Sequence, residues 1–140
     1  MLEKVFNRFF SQRQVVIKQF IKFCLVGFSN LLIDFSVYFI TTRFFNFSII
    51  LANTCSFVLA VSWSFWLNKK WTFGNDSQNH HQQYYKFFVI NILGMVWQTT
   101  ILYCLVSYAG WYDLIAKGFA VVLVTFWNFG LSRYWVFGKN

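Results

Sequence analysis

Four apolar runs, approximately residues 23–41, 47–67, 87–109 and 114–131, dominate this chain. A helix needs roughly 20 apolar residues to cross about 30 Å of hydrocarbon, so each run can cross with some tilt or end-snorkelling. In lipid the backbone must satisfy its own hydrogen bonds, which makes such segments helices. Four spans occupy most of the 140 residues and leave no room for a soluble catalytic domain. Composition agrees: only 11% of residues are charged, against about a quarter in a soluble domain. The expected fold is therefore all-α integral membrane. The chain has no Pro, so no span carries a proline kink; Gly27, Gly94, Gly118 and Gly130 remain as places where a neighbouring backbone can approach.

The breaks between runs set the organisation. Residues 43–46 and 110–113 are tight turns, and Gly74 to Gln83 (GNDSQNHHQQ) is a polar linker without apolar period. Two hairpins joined by one loose loop follow. Ahead of them, Phe6, Phe9, Phe10, Ile17, Phe20 and Ile21 form one helical stripe, and Lys4, Arg8, Ser11, Lys18 and Lys22 another. That is the pattern of an amphipathic interfacial helix lying on anionic head groups, with a frayed basic leader as the alternative. No cleavable signal peptide is read here, because charged and apolar types mix and no small-residue cleavage site follows. The expected layout is one membrane domain: interfacial helix 1–22, first hairpin 22–74, cytoplasmic linker 75–85, second hairpin 86–138. Of the twelve Lys and Arg residues, all but Arg43 and Lys117 flank the same side of the membrane. The positive-inside rule makes that side cytoplasmic, with both termini in. The net charge of +8 then reflects topology, and a nucleic-acid partner is excluded for want of a soluble basic face.

Shifting the sequence from Lys22 to Lys86, by 64 residues, superimposes the hairpins without a gap. Phe23, Ala52, Trp63, Phe65, Leu67, Trp71 and Phe73 meet Phe87, Ala116, Trp127, Phe129, Leu131, Trp135 and Phe137. Each hairpin has an even number of spans, so the copies enter the membrane in the same direction. Two tandem parallel repeats imply a pseudo-two-fold axis along the membrane normal, with a substrate path at their seam.

Polar side chains in this solvent need reasons. An ionisable group in mid-membrane costs at least about 2.5 kcal/mol, which singles out Asp34, roughly 18 Å along the helix from Lys22. Gly27, Asn30 and Asp34 share one helical face. Lys117, near the start of the last span, could reach Asp34 with its flexible stem; this intramembrane polar pair is either a static lock or a proton- or ligand-responsive element. Ala52, Ser56, Ala60, Ser64 and Asn68 recur every four residues, a ladder suited to close helix packing. Asn91, Gln98, Asn128 and Ser132 fall on helical faces and either glue helices or line a polar cleft. At the inner ends, Asn68, Lys69, Lys70, Trp71 and Phe73 mirror Ser132, Arg133, Tyr134, Trp135 and Phe137. Read plainly this is snorkelling base beside an aromatic belt; read functionally it is a pair of cationic clusters able to dock an anionic head group. Cys24, Cys55 and Cys104 lack metal or CxxC spacing and read as buried free thiols. His80 and His81 in the linker read as solvated, so neither a metal nor a cofactor is expected.

The ordered set Lys22-Phe23, Val26-Gly27, Asn30, Asp34, LNKKWTF (Leu67 to Phe73) and LSRYWVF (Leu131 to Phe137) resembles the GtrA-like family of small four-helix membrane proteins. One departure is Ser132, where the first block has Asn68. The resemblance implies a multi-pass protein of the bacterial cytoplasmic membrane that moves a polyprenyl-phosphate-linked sugar to the outer leaflet for cell-surface polysaccharide glycosylation. On that reading Lys69, Lys70 and Arg133 capture the phosphate. Asn30, Asn68 and Asn128 hydrogen-bond the sugar, Trp63 and Trp127 stack on it, and the tail stays among membrane lipids. No GxxxxGK[ST] phosphate loop occurs, so no ATP-driven motor is recognisable. Two alternatives stand beside the flippase: a non-transporting accessory subunit of a membrane glycosyltransferase, and a proton-coupled small-cation exporter using Asp34. An enzyme is not expected, since Glu3, Asp34, Asp76 and Asp113 are scattered and no nucleophile–base set exists. Four helices make a thin wall around a polar path, which favours a homo-oligomer.

Overall fold

The computed structural model describes residues 2–138. Regular structure among them is entirely helical: α1 (Leu2–Arg43), α2 (Ile49–Leu67), α3 (His80–Ser107) and α4 (Asp113–Leu131), with a π-helical turn after α2 (Asn68–Thr72) and another after α4 (Ser132–Val136). The chain divides into two compact units, Met1–Asp76 and Ser77–Asn140. Three stretches, Phe6–Arg43, His80–Ser107 and Ile115–Val136, are long and apolar enough to cross a membrane.

In the first unit α1 turns into α2 through a left-handed residue, Asn46 (φ 51°). Its neighbours close the helix end with bonds from Phe44 N to Ile40 O (2.9 Å) and Phe47 N to Thr41 O (3.0 Å), the pattern by which a helix satisfies its last carbonyls. Ser48 then caps α2, its side chain accepting from the Leu51 amide at 3.3 Å. At the far end the π-helical turn places Phe73 against Phe23, rings 6.2 Å apart. Lys22 Nζ donates to the Trp71 carbonyl at 3.2 Å and lies 5.3 Å from the Trp71 ring. The hairpin is thus stapled at both ends and aligned at mid-length, where Trp63 Nε1 donates to Ser29 Oγ at 3.2 Å.

In the second unit the turn residue is Gly110 (φ 68°), with bonds from Tyr108 N to Cys104 O and Trp111 N to Leu105 O, both 3.0 Å. Its far end sets Phe87 6.0 Å from Phe137 and Lys86 5.4 Å from the Trp135 ring. Each π-helical turn closes on the same type of bond, Phe73 N to Asn68 O and Phe137 N to Ser132 O, both 2.9 Å.

Burial inverts the rule for soluble proteins. Ala52, Ser56, Ala60 and Ser64 of α2, continued by Asn68 and Thr72 of its π-helical turn, form one buried face, and Ala116, Ala120 and Val124 of α4, continued by Ser132 and Val136, form another. Meanwhile Phe28, Leu31, Phe35, Ile115 and Phe126 are exposed, Phe35 to 75%. Such an apolar outer surface suits hydrocarbon as solvent, and the small inner residues let helix axes approach.

Four expectations need correction. The boundary at residue 22 is absent: leader and first span form one 42-residue helix, since no Pro or Gly precedes Gly27 to break the backbone ladder. Residues 2–21 therefore continue about 30 Å past the end of the hairpin. The linker is shorter than 75–85, since α3 begins at His80; the sequence looked polar, but Tyr84 stacks on Phe88 one turn later at 6.2 Å. The cysteines are free, yet Cys24 and Cys104 are exposed and Cys55 half-buried, the inner face being taken by smaller or hydrogen-bonding residues. Finally, of Gly27, Gly94, Gly118 and Gly130, only Gly94 has other atoms within 4 Å of where a Cβ would stand.

Candidate functional site

The polar and cationic residues singled out by sequence gather at the π-helical end of each hairpin. Widening a helix by one residue redirects the side chains that follow, and such turns concentrate at functional sites. In the first unit two consecutive lysines, about 100° apart as neighbours on a helix are, go to opposite environments. Lys69 is buried (2% exposed), whereas Lys70 is exposed with Nζ 5.8 Å from the Trp66 ring. Burial pushes the Lys69 ammonium below the ordinary lysine value, against an opposing, raising influence from Asp76. Its carbonyl accepts from Asn75 N at 2.8 Å.

Asn68 is the centre of a polar ladder. Its Nδ2 donates to Ser64 Oγ at 3.2 Å and its Oδ1 accepts from Thr72 Oγ1 at 2.9 Å. All three residues are buried. One turn apart on a common face, they meet one another's demands, so Asn68 is committed to the structure of its own helix end.

The second unit is built differently at the corresponding sequence positions. Asn128 reaches α3 where Gly94 leaves room: a Cβ on Gly94 would stand 2.7 Å from Asn128 Oδ1 and 2.9 Å from Nδ2. Asn128 Oδ1, Ser132 Oγ and Arg133 Nε are all buried without a hydrogen-bond partner. Ser132 is fully buried. Arg133 lies against Tyr134, its guanidinium carbon 5.5 Å from the ring centroid. Between α3 and α4 an open, apolar cleft of about 260 Å³ is lined by Trp97, Ile101, Leu123, Val124 and Trp127, with the two indoles edge-on at 6.4 Å.

Other predicted residues sit apart from these ends. On α1, Asn30 and Asp34 are half-buried, and the Oδ1 of each is buried without a partner. The packed neighbour α2 offers Asp34 no charge, since no Lys or Arg occurs from Ile49 to Leu67. Lys117 belongs to the other unit and is exposed. Trp63 is spent partly on Ser29. Lys139 lies outside the described residues. Among these, no group of three His, Cys, Asp or Glu side chains could hold a metal.

Sequence reasoning missed Lys22 and Lys86 as partners of Trp71 and Trp135, although the 64-residue shift aligns both pairs. It also missed Thr72, whose spacing of four from Asn68 was the available signal, and Trp97, which has no counterpart in the first hairpin and left no signal.

Long apolar helices, an apolar exterior and basic aromatic-flanked ends define an all-helical integral membrane protein. Comparison with known proteins is specific about which: a family model for the GtrA/DPMS transmembrane domain matches residues 22–137, and the chain belongs to that family. The match begins at Lys22, the residue that staples α1 to the first π-helical turn. A similar protein is the uncharacterized membrane protein YngA of Bacillus subtilis (strain 168), 34% identical over 136 residues, which are 94% of this chain and 90% of that one.

Proposed function

We propose that this protein translocates a polyprenyl-phosphate-linked sugar across the cytoplasmic membrane, delivering it for glycosylation of cell-surface polysaccharide. The supporting observation is the pairing of cation with indole at the end of each hairpin, Lys22 with Trp71 and Lys86 with Trp135. Lys69, Lys70 and Arg133 stand in the adjoining turns. A lipid of this class presents a phosphate at that depth, an adjoining sugar, and a tail that stays in hydrocarbon. Lys69, Lys70 and Arg133 attract the phosphate. Asn30 and Asn128, each with a buried acceptor lacking a partner, replace the water that a sugar loses on entry; Trp63 and Trp127 supply stacking faces.

The reading takes α2 as a fourth span, both termini as cytoplasmic and the two hairpins as tandem parallel repeats. Its support is the recurrence, 64 residues on, of the left-handed turn residue, the π-helical turn and the stapling rings. Glycosyl transfer itself falls to a partner enzyme.

Purified protein in liposomes tests it directly. A fluorescent polyprenyl-phosphoryl hexose placed in one leaflet should become accessible in the other, and Lys69→Ala/Arg133→Ala protein that remains folded should lose this. Exchange no faster than in empty liposomes sinks the transport reading and favours an accessory subunit.

A further inference from the structure

Each hairpin carries three residues at the same register on its second helix, spaced by four: Ser64, Asn68 and Thr72 in one, Asn128, Ser132 and Val136 in the other. The first set is closed. Thr72 donates to Asn68 and Asn68 to Ser64. The second cannot close in this way, because Val136 has no donor and serine is too short to stand in for Asn68. Its backbone is already satisfied, the Ser132 amide donating to the Asn128 and Phe129 carbonyls. The side chains are not: Asn128 Oδ1, Ser132 Oγ and the adjacent Arg133 Nε are all buried and unpartnered, and Ser132 has no exposed surface. Three orphaned polar atoms at one helix end, where the matching three residues of the first hairpin leave none in that state, mark a place where something polar binds.

We propose that the second hairpin holds the polar head group of a lipid through Asn128, Ser132 and Arg133, and that the ladder of Ser64, Asn68 and Thr72 is structural. The inference rests on the transport reading and narrows it. The ligand chemistry follows from the order of the groups. Arg133 and Ser132, at the rim, offer donors to an anion; Asn128, one turn or roughly 6 Å deeper, offers an acceptor. The ligand is therefore a phosphate with an adjoining hydroxyl-bearing group, anion at the rim and hydroxyl inward. A phosphoryl sugar fits this, and so does the head group of phosphatidylglycerol. Gly94 is a positioning residue, since its missing side chain is what lets the Asn128 amide stand against α3.

The experiment transplants the closed ladder. Full-length protein in nanodiscs is titrated by calorimetry with short-chain polyprenyl-phosphoryl hexose, with the same polyprenyl phosphate lacking sugar, and with short-chain phosphatidylglycerol. The graft Asn128→Ser/Ser132→Asn/Val136→Thr should fold and should bind the hexose-bearing lipid about tenfold or more weakly, as expected for losing a charge-assisted hydrogen bond. Should the graft not fold, Ser132→Ala, which removes only an unpartnered hydroxyl, answers in its place. Asn128→Ala should weaken the hexose-bearing lipid while leaving bare polyprenyl phosphate unchanged, a split that general loosening of the bundle does not produce. Binding of phosphatidylglycerol alone, lost in the graft, upholds this site and removes the transported sugar. Polyprenyl lipid bound equally by parent and graft overturns the site and leaves the transport reading standing. No saturable binding of either lipid overturns both.

Discussion

Asn68 and Ser132 occupy the same register and do opposite things, which stability measurements can separate. Truncating Asn68 strands a hydroxyl on Ser64 and another on Thr72 inside a buried end, and leaving buried polar groups unmet costs about 1–3 kcal/mol. Ser132→Ala removes a hydroxyl that has no partner to strand. Asn68→Ala should therefore lower the thermal midpoint in detergent clearly, and Ser132→Ala should leave it unchanged or raise it; equal losses would show that both are structural. Gly94 gives a second contrast. Alanine there meets Asn128 within 3 Å and Val124 Cγ1 at 3.1 Å, and overpacking of this kind costs about 1–3 kcal/mol. Gly27→Ala meets nothing within 4 Å and should be tolerated in the same assay. Lys69 adds a pH test. Its folded-state value is lowered by burial, so the fold carries a penalty while the ammonium is charged, and sheds it as pH rises from the lowered value toward the ordinary one near 10.4. Lys69→Met should be more stable than the parent at neutral pH, and the gap should narrow as pH climbs; a gap constant across that window would locate the effect in packing instead.

At the scale of elements, the apolar runs were plain in the sequence because hydrocarbon demands them, and a helix covers most of each run, although α1 and α3 begin well ahead of theirs. The ladder from Ala52 to Asn68 was equally legible, since a spacing of four on a helix can only be one face, and that face is the buried one. The ends were not. A π-helical turn has no residue signature of its own, and although two adjacent helical residues must point apart, that Lys69 is the one turned inward could not be read from the letters. Nor could the continuity of α1: the amphipathic stripe from Phe6 to Ile21 reads as a surface helix, and only the unbroken backbone shows it to be collinear with the span. The orphaned atoms of Asn128, Ser132 and Arg133 were hidden for another reason. Whether a polar residue is satisfied depends on what its neighbours donate, and the decisive difference lies in Val136 standing where the first hairpin has Thr72.

For the whole molecule the number of crossings turns on α2. Three crossings put the termini on opposite faces; four return them to the same one. α2 has 19 residues and no charged side chain, which at 1.5 Å per residue gives about 28 Å, close to the hydrocarbon thickness. It is tied to α1 at the turn beyond Thr41, at Ser29 and at Lys22. On the proposed reading, an α1 that crosses between Lys22 and Arg43 carries α2 back through the same slab. A helix left outside would have to bare Leu51, Leu59, Trp63 and Trp66, all exposed, to water at roughly 25 cal/mol per Å² of apolar surface. Alkaline phosphatase fused after Asn46 or Gly110 should accordingly be active outside the cell, while fusions after Asn75 and after Asn140 should be active only with a cytoplasmic reporter. An external reporter active at Asn140 together with an internal one at Leu2 would leave α2 on the surface and remove the paired-hairpin arrangement on which the transport reading stands.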